Sequence, residues 1–163
     1  MSLDAAEDSL GALKDEIAIE MLNLQRLVNE CQALVVGVDT VPSSVELRAF
    51  GSILHDFYTA CERIFERVAV YLGHGQPTGD NSHITLLRLM ELKIDGERPA
   101  VLDHEFAARL HEYLRFRHLF RHTYGYELVW GKLQPLVEQL EMSKTELDQQ
   151  LNRFILELTS GQK

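Results

Sequence analysis

Arg115, Arg117, His118, Arg121 and His122 fall within eight residues, and Tyr124 follows two positions later. Histidine titrates near neutral pH and can move protons. A guanidinium can grip a phosphate through two hydrogen bonds and stabilise the charge that builds up as it reacts. An arginine, a histidine and a tyrosine at a helix end can therefore do phosphodiester chemistry without a metal. For RNA the nucleophile is internal, the ribose 2′-OH, so a protein need supply only acid–base help and phosphate stabilisation.

The position of Arg117 is anomalous. At 100° per residue, with Phe106 set at zero, Leu110 falls at about 40°, Tyr113 at about −20° and Phe120 at about −40°. Arg117 falls at about 20°, inside that apolar stripe, whereas Arg115 falls on the opposite side. A desolvated, unpaired charge costs several kcal/mol, so Arg117 needs a partner or a task. Asp56, Glu62 and Glu66 of the preceding long helix are the candidate partners. Asp56 and Glu62 are the residues expected to orient Arg117 or His122, against the plainer reading of a solvated helix face. Five residues are about 140° of helical rotation, so His122 shares a pocket with Arg117 only if the helix ends near Arg121. Gly125 allows such an end.

The elements that must position these residues are helical. Apolar residues at Leu10, Leu13, Ile17, Met21, Leu24, Val28, Cys31 and Val35 make one stripe, ending near Gly37 and before Pro42. A capping box, Ser43 to Glu46, opens a second stripe of Leu47, Phe50, Leu54, Phe57, Cys61, Ile64, Val68 and Leu72. Gly73, Gly75, Pro77 and Gly79 form a loop. A shorter helix spans roughly Ser82 to Lys93, with Asn81 as N-cap. Asp95-Gly96 and Pro99 mark a turn, and Asp103 caps the helix that carries Arg117. A further helix is expected from about Glu127 to Leu140, with Pro135 as a kink or early stop. A second capping box, Ser143 to Glu146, opens a last helix with Leu147, Leu151, Phe154, Ile155 and Leu158. No strand-like alternation, internal repeat or interdomain linker stands out. The expectation is one all-α domain over residues 1–163, an antiparallel up-and-down helical bundle with two long N-terminal helices plus shorter helices.

Composition narrows the function classes. Of 163 residues, 45% are hydrophobic and 25% charged, which suits a globular chain. The formal net charge is −9, so nucleic acid or anionic membrane must be met at a local basic site, not by bulk attraction. No apolar run is long enough to span a bilayer. Met1 to Ser9 is acidic and lacks the pattern of a secretory signal. Cys31 and Cys61 cannot build a disulfide framework and lie on apolar stripes as core thiols. A cytoplasmic location follows as the expectation.

Other polar and aromatic residues carry plainer readings. His104 and His111 are expected to face solvent, and His74 and His83 to be solvated in or beside the glycine-rich loop. Trp130, Tyr113 and Tyr126 read as packing residues. The Gly73–Gly79 stretch lacks the lysine and the helix start of a phosphate-binding loop. His118 and His122 have helical metal-ligand spacing, and His55 is a conceivable third ligand. That is the alternative of a DinB-like metal protein, disfavoured because it needs a helix continuous through His122. Leu119 and Phe116 lie off the core stripe and hint at a second buried surface.

With those residues in place, the chain resembles a known family. RFRHLFRHTY contains the R-x4-H-x-Y signature of the HEPN superfamily, in its HepT-like branch. Glu46 to Ala69 is similar to the second helix of HepT-like ribonuclease toxins, and Glu112 to Leu128 to their catalytic segment; the resemblance covers roughly Leu10 to Leu158. His118 stands where Asn or Asp commonly follows the motif arginine. The resemblance implies a helical bundle that forms a homodimer, with both motifs beside a shared cleft. It implies a metal-independent endoribonuclease that uses no cofactor. It implies the toxin of a toxin–antitoxin pair, neutralised by a minimal nucleotidyltransferase that adds AMP to the motif tyrosine. Carried across, Arg117 and His122 are the catalytic pair and Tyr124 the modification and substrate-contacting residue, with His118, Arg121, Asp56 and Glu62 in support. The alternative within the family is a non-catalytic HEPN module that binds a nucleotidyltransferase or a nucleotide.

Overall fold

A computed structural model describes residues 3–124 and 127–160. Five helices follow in chain order: α1 (Leu3–Val36), α2 (Ser44–Tyr71), α3 (Ser82–Glu91), α4 (His104–Arg121) and α5 (Trp130–Ser160). Among the described residues the only β-type pairing is an isolated bridge between Ile94 and Arg98.

Pairs between helices set the directions. Arg63 and Arg67 of α2 meet Glu20 and Glu16 of α1, so these two helices run antiparallel. Arg109 and Tyr113 of α4 meet Glu146 and Ser143 of α5, again in opposite order. Gln32 near the end of α1 reaches Glu141 in the first half of α5. Helices α1, α2, α4 and α5 thus close an up-and-down bundle, and α3 packs across α2 and α4.

The starts of α2 and α4 follow from their caps. Ser43 and Glu46 exchange side-chain-to-backbone hydrogen bonds, the capping box expected there. Asp103 accepts from the Phe106 backbone N–H at 2.8 Å and opens α4. Asn81 holds the N-cap position of α3 but makes no side-chain capping bond. The far end of α3 is tied down instead by Arg98, whose guanidinium donates to the Leu89 and Leu92 carbonyls. That satisfies acceptors that a helix C-terminus leaves open, and it anchors α3 so that its first turn faces α2 and α4.

Helix α2 is the centre of the core. Phe50, Ile53, Leu54, Phe57, Tyr58, Cys61, Ile64, Phe65 and Val68 are all buried, more than one stripe, because α2 touches every other helix. The α1 stripe lies against it from Leu10 through Cys31, with Met21 partly buried, whereas Val35, the last expected member, is exposed.

Three expectations need correction. The helices expected at Glu127–Leu140 and after Ser143 are one element, α5, so the bundle has a third long helix. Pro135 lies in its second turn, where the ring removes a single backbone hydrogen bond that packing outweighs. Ser143 is not a cap: it is fully buried with its hydroxyl 3.4 Å from that of Tyr113, and Glu146 pairs with Arg109. Phe116 is buried and stacks on Phe120, so it marks the protomer's own core and not a second surface, whereas Leu119 is 50% exposed. Gly125 and Tyr126 lie outside the described residues.

One close approach couples the core to the end of α4. A Cβ on Gly51 would sit 2.6 Å from Cε2 of Phe120 and 3.4 Å from Cδ1 of Leu128. Gly51→Val is expected to destabilise the fold by about 1–3 kcal/mol, as overpacking does, with thermal unfolding as the check. Burial also governs the thiols. Desolvation pushes the Cys31 thiol up to about 11 and raises that of Cys61 further, so thiolate is scarce at pH 8. Both should resist a disulfide reagent such as DTNB in the native protein and react fully once it is denatured.

Candidate functional site

The α2–α4 seam carries a polar ladder. His55, Thr59 and Glu62 recur at steps of four and three, so they share one face of α2. Arg121 and Arg117, four apart on α4, meet them in antiparallel order. The Arg121 Nε–H donates to His55 Nε2 at 3.3 Å. Arg117 Nη1 donates to Thr59 Oγ1 at 3.4 Å, and Arg117 Nη2 to Glu62 Oε2 at 2.8 Å.

Arg117 is 2% exposed. Its guanidinium lies 4.9 Å from the centre of the Tyr58 ring, a cation–π contact in a desolvated setting. The apolar stripe therefore absorbs the arginine because Glu62 supplies the opposite charge and Tyr58 the π face. The same burial raises the Tyr58 hydroxyl well above its ordinary range, with the Glu62 charge adding to it.

The third member of this node is His83, in the first turn of α3. Its Nδ1 lies 2.8 Å from Glu62 Oε2 and 3.1 Å from Arg117 Nη2. The expectation of a solvated His83 is corrected: the ring is 44% exposed, and its inner nitrogen is engaged. Spacing could not reveal this. His83 lies 21 residues from Glu62 across a glycine-rich loop, and only the crossing of α3 over α2 and α4 brings it in.

A second group lines the exposed rim of the seam. The His118 and His122 rings are 5.0 Å apart, edge to face. Helix α4 ends at Arg121, as the motif reading required, and His122 is its C-cap residue. His122 faces solvent beside His118, however, and its contacts do not include Arg117. His55 Nδ1 bonds Asp56 Oδ1 at 2.9 Å, which leaves Nε2 as the acceptor for Arg121. Tyr124 is 71% exposed, and its backbone N–H donates to Glu127 Oε2 at 3.2 Å.

The sequence-derived residues thus fall into two sets. Arg117 and Glu62 form the buried pair, and the orienting role expected of Glu62 has a bond to support it. His118, Arg121, His122 and Tyr124 are at the surface, with Asp56 joined to them through His55. Thr59, Tyr58 and His83 are the additions. Thr59 has a signal in the sequence, its place on the Glu62 face of α2; His83 has none. No group of three or more His, Cys, Asp or Glu among the described residues is placed to hold a metal ion, so the set His55, His118 and His122 has no ligand geometry here.

Chemically, the rim offers imidazoles that can exchange protons and guanidiniums that can meet phosphate. In an acidic chain this is the local cationic surface that a polyanion needs. A family model described as "HepT-like protein" matches residues 49–158. It takes in most of α2 and all of α3 and α4, and α1 lies outside it. No curated protein and no solved structure matches the chain.

The buried pair makes a stability prediction. Glu62→Ala leaves the Arg117 charge buried and unpaired, and should cost about 3–5 kcal/mol. Replacing both partners, as Glu62→Leu with Arg117→Met, should restore much of that loss. Urea unfolding of the single and double variants measures both, and a Glu62→Ala protein as stable as the parent would show that the pair holds nothing.

Proposed function

The chain belongs to the HepT-like family of helical proteins, and on that premise we propose that it is the ribonuclease toxin of a toxin–antitoxin pair. The observation that carries the reading is the arrangement at the end of α4. The helix stops at Arg121, the motif histidine emerges at its cap, and the motif arginine is anchored one turn earlier by Glu62. In this reading His122 gives or takes a proton around the 2′-OH and the leaving oxygen, and Arg117 stabilises the scissile phosphate. His118 and Arg121 widen the cationic rim. Two protomers would set their motifs beside one cleft, with the exposed Leu119 at that contact. In this reading no metal or cofactor takes part, and the protein works in the cytoplasm beside its RNA substrate.

The exposure of Tyr124 supports its role as the modification site, because a nucleotidyltransferase must reach the hydroxyl. An attached AMP adds negative charge and bulk beside the rim, which repels RNA and blocks its approach. A minimal nucleotidyltransferase is the partner this implies.

One observation favours a second reading, a non-catalytic HEPN module that binds a nucleotidyltransferase or a nucleotide. Arg117 is buried, and both its Nη atoms bond to Thr59 and Glu62, so a phosphate must displace a carboxylate to reach it. One experiment separates the two. RNA cleavage by the purified protein in excess EDTA is expected, falling by at least about 100-fold in His122→Ala, the scale of acid–base catalysis. His122 is exposed, so this variant spares the core. An inactive wild type whose intact mass shows no added AMP sinks the nuclease reading and leaves the binding module.

A further inference from the structure

We infer that His83 is a second proton-transfer residue of this site, held in place by Glu62. The inference rests on the nuclease reading above and adds to it a residue outside the R-x4-H-x-Y motif.

Glu62 is paired with Arg117, so its carboxylate is ionised and can only accept hydrogen bonds. His83 Nδ1 is 2.8 Å from Glu62 Oε2, a bonding distance, and two acceptors would repel there. Nδ1 also lies 3.1 Å from Arg117 Nη2, but the contact with Oε2 is shorter and is to a charged acceptor, so Nδ1 carries the hydrogen and donates it to Oε2. Oε2 accepts from Arg117 Nη2 as well, also at 2.8 Å, which explains why the two donor nitrogens approach to 3.1 Å. In a neutral ring the lone pair is then on Nε2. That atom makes no hydrogen bond to the described residues, and the ring is 44% exposed. A carboxylate that fixes one imidazole nitrogen and leaves the other basic and outward is the arrangement a general base requires.

His83 also has the right neighbour. It is the solvent-exposed member of the node that holds the buried Arg117, so a phosphate approaching that node meets this ring before it meets the guanidinium, with Glu62 still in place. The charged groups that face it are Glu62 from α2 and Arg117 from α4. The anchoring of α3 by Arg98 fixes the helix that presents it.

His83 Nε2 takes the proton of the ribose 2′-OH while that oxygen attacks phosphorus. The bond from phosphorus to the 5′-oxygen breaks, and His122, as imidazolium, protonates the departing oxygen. The products are a 2′,3′-cyclic phosphate and a 5′-hydroxyl, and the two histidines then exchange their proton difference with water.

His83→Asn tests this. The Asn amide can still donate to Glu62 from near the Nδ1 position, but it has no Nε2. RNA cleavage in EDTA by His83→Asn should fall by about 100-fold or more in kcat, with KM and thermal stability near the parent values. The acidic limb of its pH–rate profile, which reports protonation of the base, should disappear. Free imidazole should partly restore the rate of His83→Ala. If His83→Asn cleaves at the parent rate with the acidic limb intact, His83 only braces Glu62 and the inference is overturned while the nuclease reading stands. An inactive wild type removes the nuclease reading itself. A readout independent of activity is the ¹⁵N spectrum of the His83 ring: hydrogen on Nδ1 is expected, and a ring protonated on Nε2 alone overturns the inference whatever the activity.

Discussion

A guanidinium buried between two helices restricts everything around it. Arg117 must keep its charge, because an arginine does not release its proton inside a protein. It must therefore keep Glu62 within hydrogen-bonding reach. That requirement sets the register of α4 against α2. A slip of one residue on either helix would rotate one of the two charges into apolar surroundings without its partner. The rest of the seam follows from this register: Thr59 takes the second nitrogen of Arg117, and one turn further His55 takes Arg121. The same constraint places the motif histidine. With Arg117 turned inward, the 100° step of the helix sends His118 toward solvent, and the end of α4 brings His122 against it.

Burial and exposure divide the chemistry of this site between two layers. The inner layer is a carboxylate, a guanidinium and a tyrosine ring, all buried. The outer layer is imidazoles and Arg121 at the surface. Charges in the inner layer interact through a lower effective dielectric than those at the rim. Glu62 is the shared partner of this layer, bonded to both Arg117 and His83. The outer layer is screened by salt and open to large ligands. A net charge of −9 over the chain means that most other faces repel a polyanion.

Much of the architecture was legible along the chain. Spacing identified α1, α2 and α4, and the Ser43 and Asp103 caps opened their helices where expected. The reading failed where a local signal was used for something else. Ser143 and Glu146 have the spacing of a cap, yet both side chains are engaged by α4, through Tyr113 and Arg109. Pro135 reads as a stop, yet at the second turn of a long helix it removes too little to end one. Phe116, off the stripe by angle, is covered because Phe120 and the neighbouring helices reach further round α4 than a single stripe allows.

The amino-acid sequence by itself determined that the chain is helical, that Arg117 falls on an apolar face, and that an arginine, a histidine and a tyrosine are grouped at a helix end. These are properties of one helix, set by 100° per residue and by the cost of desolvating a charge. Which carboxylate answers Arg117 was narrowed to Asp56, Glu62 or Glu66, and only the packing of α4 on α2 chose Glu62. That His83 joins them was decided by tertiary structure alone. Its contacts cross from α3 to two other helices, and helical periodicity has no means of encoding where a loop of glycines returns the chain.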